Sequence, residues 1–235
     1  MRRGTSPTVI TLLGIALGCG MASLVLIGIL YTAIAPRIAL GAEPVPVNRV
    51  EVPAVQRVVL TREAQRVFGP DAPVARFAAQ IHTESTWRPG VCSYAGACGL
   101  GQFMPATAEW LAEQHPEKLK PVKLADWQWS VRALVIYDWR LVEGEVGWSD
   151  ISNRWAAALT AYVGGAGWVR RERRATAAAG DDPDRWWGSV ERHCLRGPRA
   201  CRDSRHYPRR ILCQLEPEYI EAGWPGRALQ CGGES

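Results

Sequence analysis

Glu84 is the residue in this sequence best placed to do chemistry. It lies three positions after Ile81 and seven after Phe77. On a helix that spacing sets it at the edge of an apolar face. A carboxyl so placed is partly desolvated, which favours its neutral form and raises its pKa. A raised carboxyl pKa is what a general acid needs near neutral pH. Ser85 follows directly and could hydrogen-bond that carboxyl or a ligand. Downstream, Gly99 and Gly101 permit close backbone approach, and Gln102 offers both a donor and an acceptor. Tyr162 combines an apolar ring with a polar tip, suited to a cleft wall. No Asp or Glu occurs between Glu84 and Glu109, which is compatible with a single working carboxylate. A second could come from afar, and Asp138 is the candidate.

Helices must position these residues. Asp71 and Pro73 start one whose apolar positions are Val74, Phe77, Ala78 and Ile81, the i, i+3, i+4, i+7 pattern. Residues 86–101, rich in Gly, Ser and Cys, predict a loop, with room for a small hairpin at 90–100. Pro105 fits a first helical turn, and Pro116 stops that helix. Further helices are expected over 126–142, 151–162, 169–178, 183–192 and 207–222. No run of alternating strands is evident. The fold class is therefore mainly α.

Val9 to Ala35 is an apolar run without a charge, long enough to cross a bilayer. Arg2 and Arg3 precede it and favour an N-inside orientation. The expected organisation is a cytoplasmic N-terminus at 1–8, a transmembrane or signal-anchor segment at 9–35, a Pro-containing linker at 36–56 and a domain at 57–235. The run is rich in Gly, Ala, Ser and Thr. A stable anchor, a releasable anchor and a cleaved signal all remain open. Setting Cys19 aside leaves six cysteines, an even number that suits disulfides outside the cytoplasm. Proximity favours Cys92–Cys98, Cys194–Cys201 and Cys213–Cys231. His193, Cys194, Cys201 and His206 match no standard zinc spacing, so neither a metal nor a cofactor is expected.

The 22% of charged residues excludes wholesale disorder. Net charge is +5, but three basic residues and no acid precede residue 43, so the rest is nearly balanced and nucleic acid is not implied. Residues 169–210 hold twelve Arg and six acids. That stretch reads as a solvated face or as a surface for acidic envelope polymers or lipid heads. Most of the 11 Trp are expected in the core, with Trp87 the best exception.

Three segments carry a family resemblance: Glu84-Ser85, then Gly99-Leu100-Gly101-Gln102-Phe103-Met104-Pro105-Ala106-Thr107, then Ala161-Tyr162-Val163-Gly164-Gly165. In this order and spacing they resemble the lytic transglycosylases with the soluble-transglycosylase (SLT) catalytic domain, in the lysozyme-like superfamily. The resemblance covers residues 70–170. It implies a lysozyme-like fold with a small loop or hairpin element beside the cleft, preceded by the N-terminal transmembrane helix. It implies Glu84 as the catalytic acid and base, with Ser85, Gly99, Leu100, Gln102 and Tyr162 around the substrate, and Leu100 and Phe103 packing the loop. The substrate would be peptidoglycan glycan strands, cleaved between N-acetylmuramic acid and N-acetylglucosamine with closure of a 1,6-anhydro ring. Val163 departs from the family's Asn and Gly101 from its Met. Residues 161–168 and His206-Tyr207-Pro208-Arg209-Arg210-Ile211-Leu212 resemble the tails of some phage endolysins, which implies host lysis by an enzyme held in the inner membrane with its domain in the periplasm. A monomer is expected. A wall-remodelling enzyme of an envelope-spanning apparatus, a lysozyme-type hydrolase and a non-catalytic peptidoglycan-binding module are the alternatives.

Overall fold

The computed structural model describes residues 45–232. The Val9–Ala35 segment expected in the membrane lies outside them, and among the described residues no helix is long and apolar enough to cross a membrane. The chain enters through a short 3-10 turn at Val47–Arg49 and builds an all-helical domain. No strand forms among the described residues; the possible hairpin is reduced to single bridges from Cys98 to Cys92 and to Phe103.

Helix α1 (Ala54–Phe68) ends at Gly69, whose φ of 83° takes the chain out of the helix. Helix α2 (Val74–Ser85) is the central element, and Val74, Phe77, Ala78 and Ile81 are all buried on it, as the spacing predicts. It stops where Thr86 turns left-handed. Helix α3 (Pro105–Gln114) opens on Pro105 and is followed by one turn, α4 (Pro116–Leu119). Asp126 caps α5 (Trp127–Gly144) by accepting from the amides of Gln128 and Trp129. Asp150 caps α6 (Ile151–Gly164) through the Asn153 amide. Gly165 then breaks the chain before α7 (Ala166–Ala178). Helix α1 packs on α5, and α6 packs on α5, α7 and α8 (Pro198–Arg209).

Two expectations are corrected. Residues 183–192 form no helix beyond the 3-10 turn Val190–Arg192. The side-chain oxygen of Asn153 takes the amides of Trp186 and Trp187, at 2.7 and 3.0 Å, so those donors are withdrawn from any helix. Residues 207–222 are not one helix either. Pro208 removes a backbone donor near the end of α8, and the chain widens into a π-helical turn at Arg210–Leu215 before α9 (Glu216–Glu221).

The three disulfides pair as expected: Cys92–Cys98, Cys194–Cys201 and Cys213–Cys231. Cys194 and Cys201 are thus unavailable to a metal, and His193 bonds Asp181 at 2.6 Å instead. The basic stretch is not simply a solvated face. Arg196 and Arg205 both reach buried Glu172. Arg173 binds the carbonyls of Val146, Gly147 and Pro183, and Arg209 binds Glu191. Arg205 and Arg209 also lie over Trp186 and Trp187. Much of this charge fastens the C-terminal part to itself.

Candidate active site

Glu84 stands in the last turn of α2, half-buried, with its carboxyl surrounded by elements distant in sequence. The phenolic hydroxyl of Tyr207, on α8, donates to its Oε1. Desolvation pushes the Glu84 carboxyl up to about 8, and the Tyr207 hydrogen bond opposes that rise. The group therefore holds a proton at neutral pH and can still release it.

Tyr162 completes this wall. Its ring stacks on that of Tyr207, with centroids 6.2 Å apart and planes 10° from parallel. Its hydroxyl donates to the Gly101 carbonyl at 2.7 Å. Burial, followed by the neighbouring Glu84 charge, holds both phenols well above their ordinary range, so both remain donors.

The Gly99–Gln102 loop is held by Ser130 and Tyr162 from other helices and by its own Gln102. Gly99 is buried with φ of 81°, and a Cβ there would stand 2.5 Å from the Leu124 carbonyl oxygen. The Gly101 amide donates to Ser130 Oγ at 2.9 Å. A Cβ at Gly101 would meet Phe103 at 2.8 Å and the Tyr162 hydroxyl at 3.1 Å. Gly at this position therefore goes with the Phe103 ring, which fills the adjoining space. Thr86, Trp87 and Gln102 adopt φ of 51°, 60° and 47°. Non-glycine residues held left-handed, two of them directly after the helix that carries Glu84, mark a backbone fixed by its surroundings.

Several expected roles change. Ser85 is 2% exposed and donates to the Ile81 carbonyl, so its hydroxyl closes α2 instead of meeting Glu84 or a ligand. Leu100 is fully buried, which leaves only its backbone for a ligand. Gln102 Nε2 spends its protons on the carbonyls of Val91 and Gly99, at 3.0 and 2.9 Å. Its donor function is internal. Trp87 is a core residue that donates to Tyr219, whose hydroxyl also meets His82. Val163 packs half-buried against the core.

Asp138 interacts electrostatically with Glu84 but is 1% exposed. Burial holds its carboxyl well above the usual range, despite a hydrogen bond from Gln80 at 3.2 Å. A carboxyl buried in this way has no solvent water beside it to activate. A separate groove of about 440 Å³, between Pro46–Val52 and α9, does not include Glu84.

Sequence reasoning missed Tyr207 as the partner of Glu84. The signal was present in the segment His206 to Leu212, which stands out without revealing what its tyrosine touches. Residues 69–184 match the family described as the transglycosylase SLT domain. Comparison with curated proteins gives no significant match. Glu84, the Gly99–Thr107 loop and Tyr162 lie within the matched residues, and Tyr207 lies beyond them. An all-helical fold, the three motifs in order and the family match converge: residues 69–184 carry a transglycosylase SLT domain, the catalytic domain of the lytic transglycosylases, lyases that act on peptidoglycan.

Proposed function

We propose that Glu84 is the sole acid–base group of this enzyme and that the products are 1,6-anhydro-muramic ends. The observation that carries this reading is the protonated Glu84 carboxyl held by Tyr207, beside a second carboxyl buried away from solvent. Glu84 gives its proton to the glycosidic oxygen as the bond from muramic C1 breaks. The departing N-acetylglucosamine leaves as an alcohol. The carboxylate, still receiving the Tyr207 hydrogen bond, then takes the proton of the muramic 6-hydroxyl as that oxygen attacks C1. The enzyme ends in its starting protonation state, and no water is consumed. The stabilising role of a second carboxylate in ordinary glycoside hydrolysis falls to the substrate's own acetamido group. Tyr162, stacked on Tyr207, fixes the Gly99–Gln102 loop through the Gly101 carbonyl.

We assign the enzyme to phage-type host lysis as an inner-membrane protein with a periplasmic, monomeric domain. The apolar Val9–Ala35 run and the resemblance of residues 161–168 and 206–212 to endolysin tails support that assignment. Three disulfides suit an oxidising compartment.

The test is digestion of cell-wall sacculi by the full chain in detergent, with mass spectrometry of the products and Glu84→Gln in parallel. Anhydro ends, lost with E84Q by about 10²–10⁴-fold in rate, are expected. Reducing muramic ends would replace the reading with hydrolysis. Bound but uncut sacculi would replace it with a binding module.

A further inference from the structure

A row of aromatic rings leads from Glu84 to the protein surface. Tyr207 stacks on Tyr162, Tyr162 lies 5.2 Å from Tyr137, and Tyr137 lies 6.2 Å from Trp110. Phe103 backs the middle of the row, 6.0 Å from Tyr162 and 6.1 Å from Tyr137. The outer ring, Trp110 on α3, is 42% exposed.

The chemistry beside Trp110 is cationic and incomplete. Arg140, on α5, lies with its guanidinium carbon 5.2 Å from the Trp110 ring centroid. Its Nε is buried without a hydrogen-bond partner. Among the described residues no carboxylate forms an ion pair with it; Glu109, Glu113 and Glu117 on α3 and α4 are exposed and leave it unmatched. His115, at the end of α3, has a buried Nε2 that likewise lacks a partner. After burial, the Arg140 charge is what most holds the His115 imidazole below its ordinary value, so the two groups sit close enough to feel each other. A guanidinium without a carboxylate partner, lying over a half-exposed indole, suits a planar carboxylate attached to a body that stacks on the exposed part of the ring.

We propose that Trp110 and Arg140 form a distal subsite of the cleft, in which a sugar of the glycan strand rests on the Trp110 indole and Arg140 holds a carboxylate of the peptide stem that the strand carries. This rests on the reading of Glu84 as the cleaving acid, and the interior rings of Tyr162 and Tyr137 keep Trp110 within three ring-to-ring steps of Tyr207. The subsite takes an acidic peptidoglycan strand, and it makes the enzyme distinguish strands bearing stem peptides from bare ones. Trp110 supplies affinity for both kinds, and Arg140 supplies the preference.

The test uses the full chain in detergent with Glu84→Gln, so that binding is read without cleavage. The probes are purified glycan strands with their stem peptides and the same strands stripped of peptide by an amidase. Trp110→Ala should weaken binding to both probes about tenfold, and Trp110→Phe should restore most of it. Arg140→Gln should weaken binding to peptide-bearing strands about tenfold, the size of one charged hydrogen bond, and leave stripped strands unchanged. In the chain with Glu84 intact, the same variants should raise KM and leave kcat near its parent value. Equal binding of W110A and the parent to both probes overturns the subsite. An Arg140→Gln loss that is the same on both probes overturns the carboxylate assignment. Loss of binding in these variants, from a parent that cleaves neither probe, would retire the cleavage reading and leave the subsite standing.

Discussion

The hydroxyl of Tyr207 donates a hydrogen bond to Oε1 of Glu84 across 123 positions of sequence. Donation to a carboxylate stabilises its charged form and lowers its pKa. Tyr207→Phe removes that donor and leaves desolvation unopposed. The Glu84 pKa should then rise above its value of about 8, and the alkaline limb of the pH–rate profile should move up with it. Turnover should fall about tenfold, because the carboxylate formed midway loses a charged hydrogen bond. A limb that stays in place would show that the hydroxyl does not act on the acid.

The same raised pKa makes Glu84 a cost to folding at high pH. Its folded value is about 8 and its ordinary value 4.5. Between those values the unfolded chain releases the proton and the folded chain keeps it. Stability attributable to Glu84 therefore falls as pH rises from 4.5 to 8, then levels off. Glu84→Gln should match the parent in stability near pH 4 and exceed it by a few kcal/mol, in order of magnitude, above pH 8. Denaturant unfolding of both proteins across this range, with disulfides intact, is the measurement. A constant difference at all pH values would contradict the buried proton.

Asp138→Asn tests whether that carboxyl works as a base. Asn has the shape of a neutral carboxylic acid, the form that burial favours for Asp138. Turnover of D138N on sacculi should stay near that of the parent. A loss of about 10²–10⁴-fold, the usual worth of a general base, would instead mark Asp138 as activating water.

Which features were legible in the sequence follows from how local their causes are. The buried stripe of α2, the Pro105 start, the Gly165 break and the pairs Cys92–Cys98 and Cys194–Cys201 are set within a few residues, Cys213–Cys231 within 18, and all were readable. The fate of residues 183–192 was not, because the Asn153 side chain that takes the Trp186 and Trp187 amides belongs to another helix. Ser85 and Gln102 share one limitation. Their residue types invite a ligand, but in the fold their hydrogen bonds are already made to Ile81, Val91 and Gly99. Tyr207 is the extreme case, since nothing near it in sequence names Glu84.

Gly99→Ala should be poorly tolerated. It forces a side chain onto a φ of 81° and drives a Cβ to 2.5 Å from a backbone oxygen. A loss of about 1–3 kcal/mol is expected from the strained backbone alone, with activity falling as the loop moves off Tyr162. Thermal unfolding and sacculus digestion of G99A check both parts. Parent-like stability would show that this turn is not fixed as described.

Cys213–Cys231 joins the π-helical turn to the C-terminal segment, where the Gln230 carbonyl also accepts from Ser152. Cys213→Ser together with Cys231→Ser should lower stability by about 2–4 kcal/mol. Added thiol should lower the parent's unfolding temperature and leave that of the double variant less affected. Equal responses would place the thiol-sensitive bond elsewhere.

Protein synthesis runs in one direction, and the partner of Glu84 is made late. When the ribosome has completed residue 184, every residue of the matched family domain exists, yet Tyr207 has not been translated. Neither has Glu216, the buried partner of Arg76 on the helix that carries Glu84. A nascent chain, or one cut short by a premature stop, would thus present the acid without the hydroxyl that steadies it. The site is therefore complete only once the last helices have been delivered.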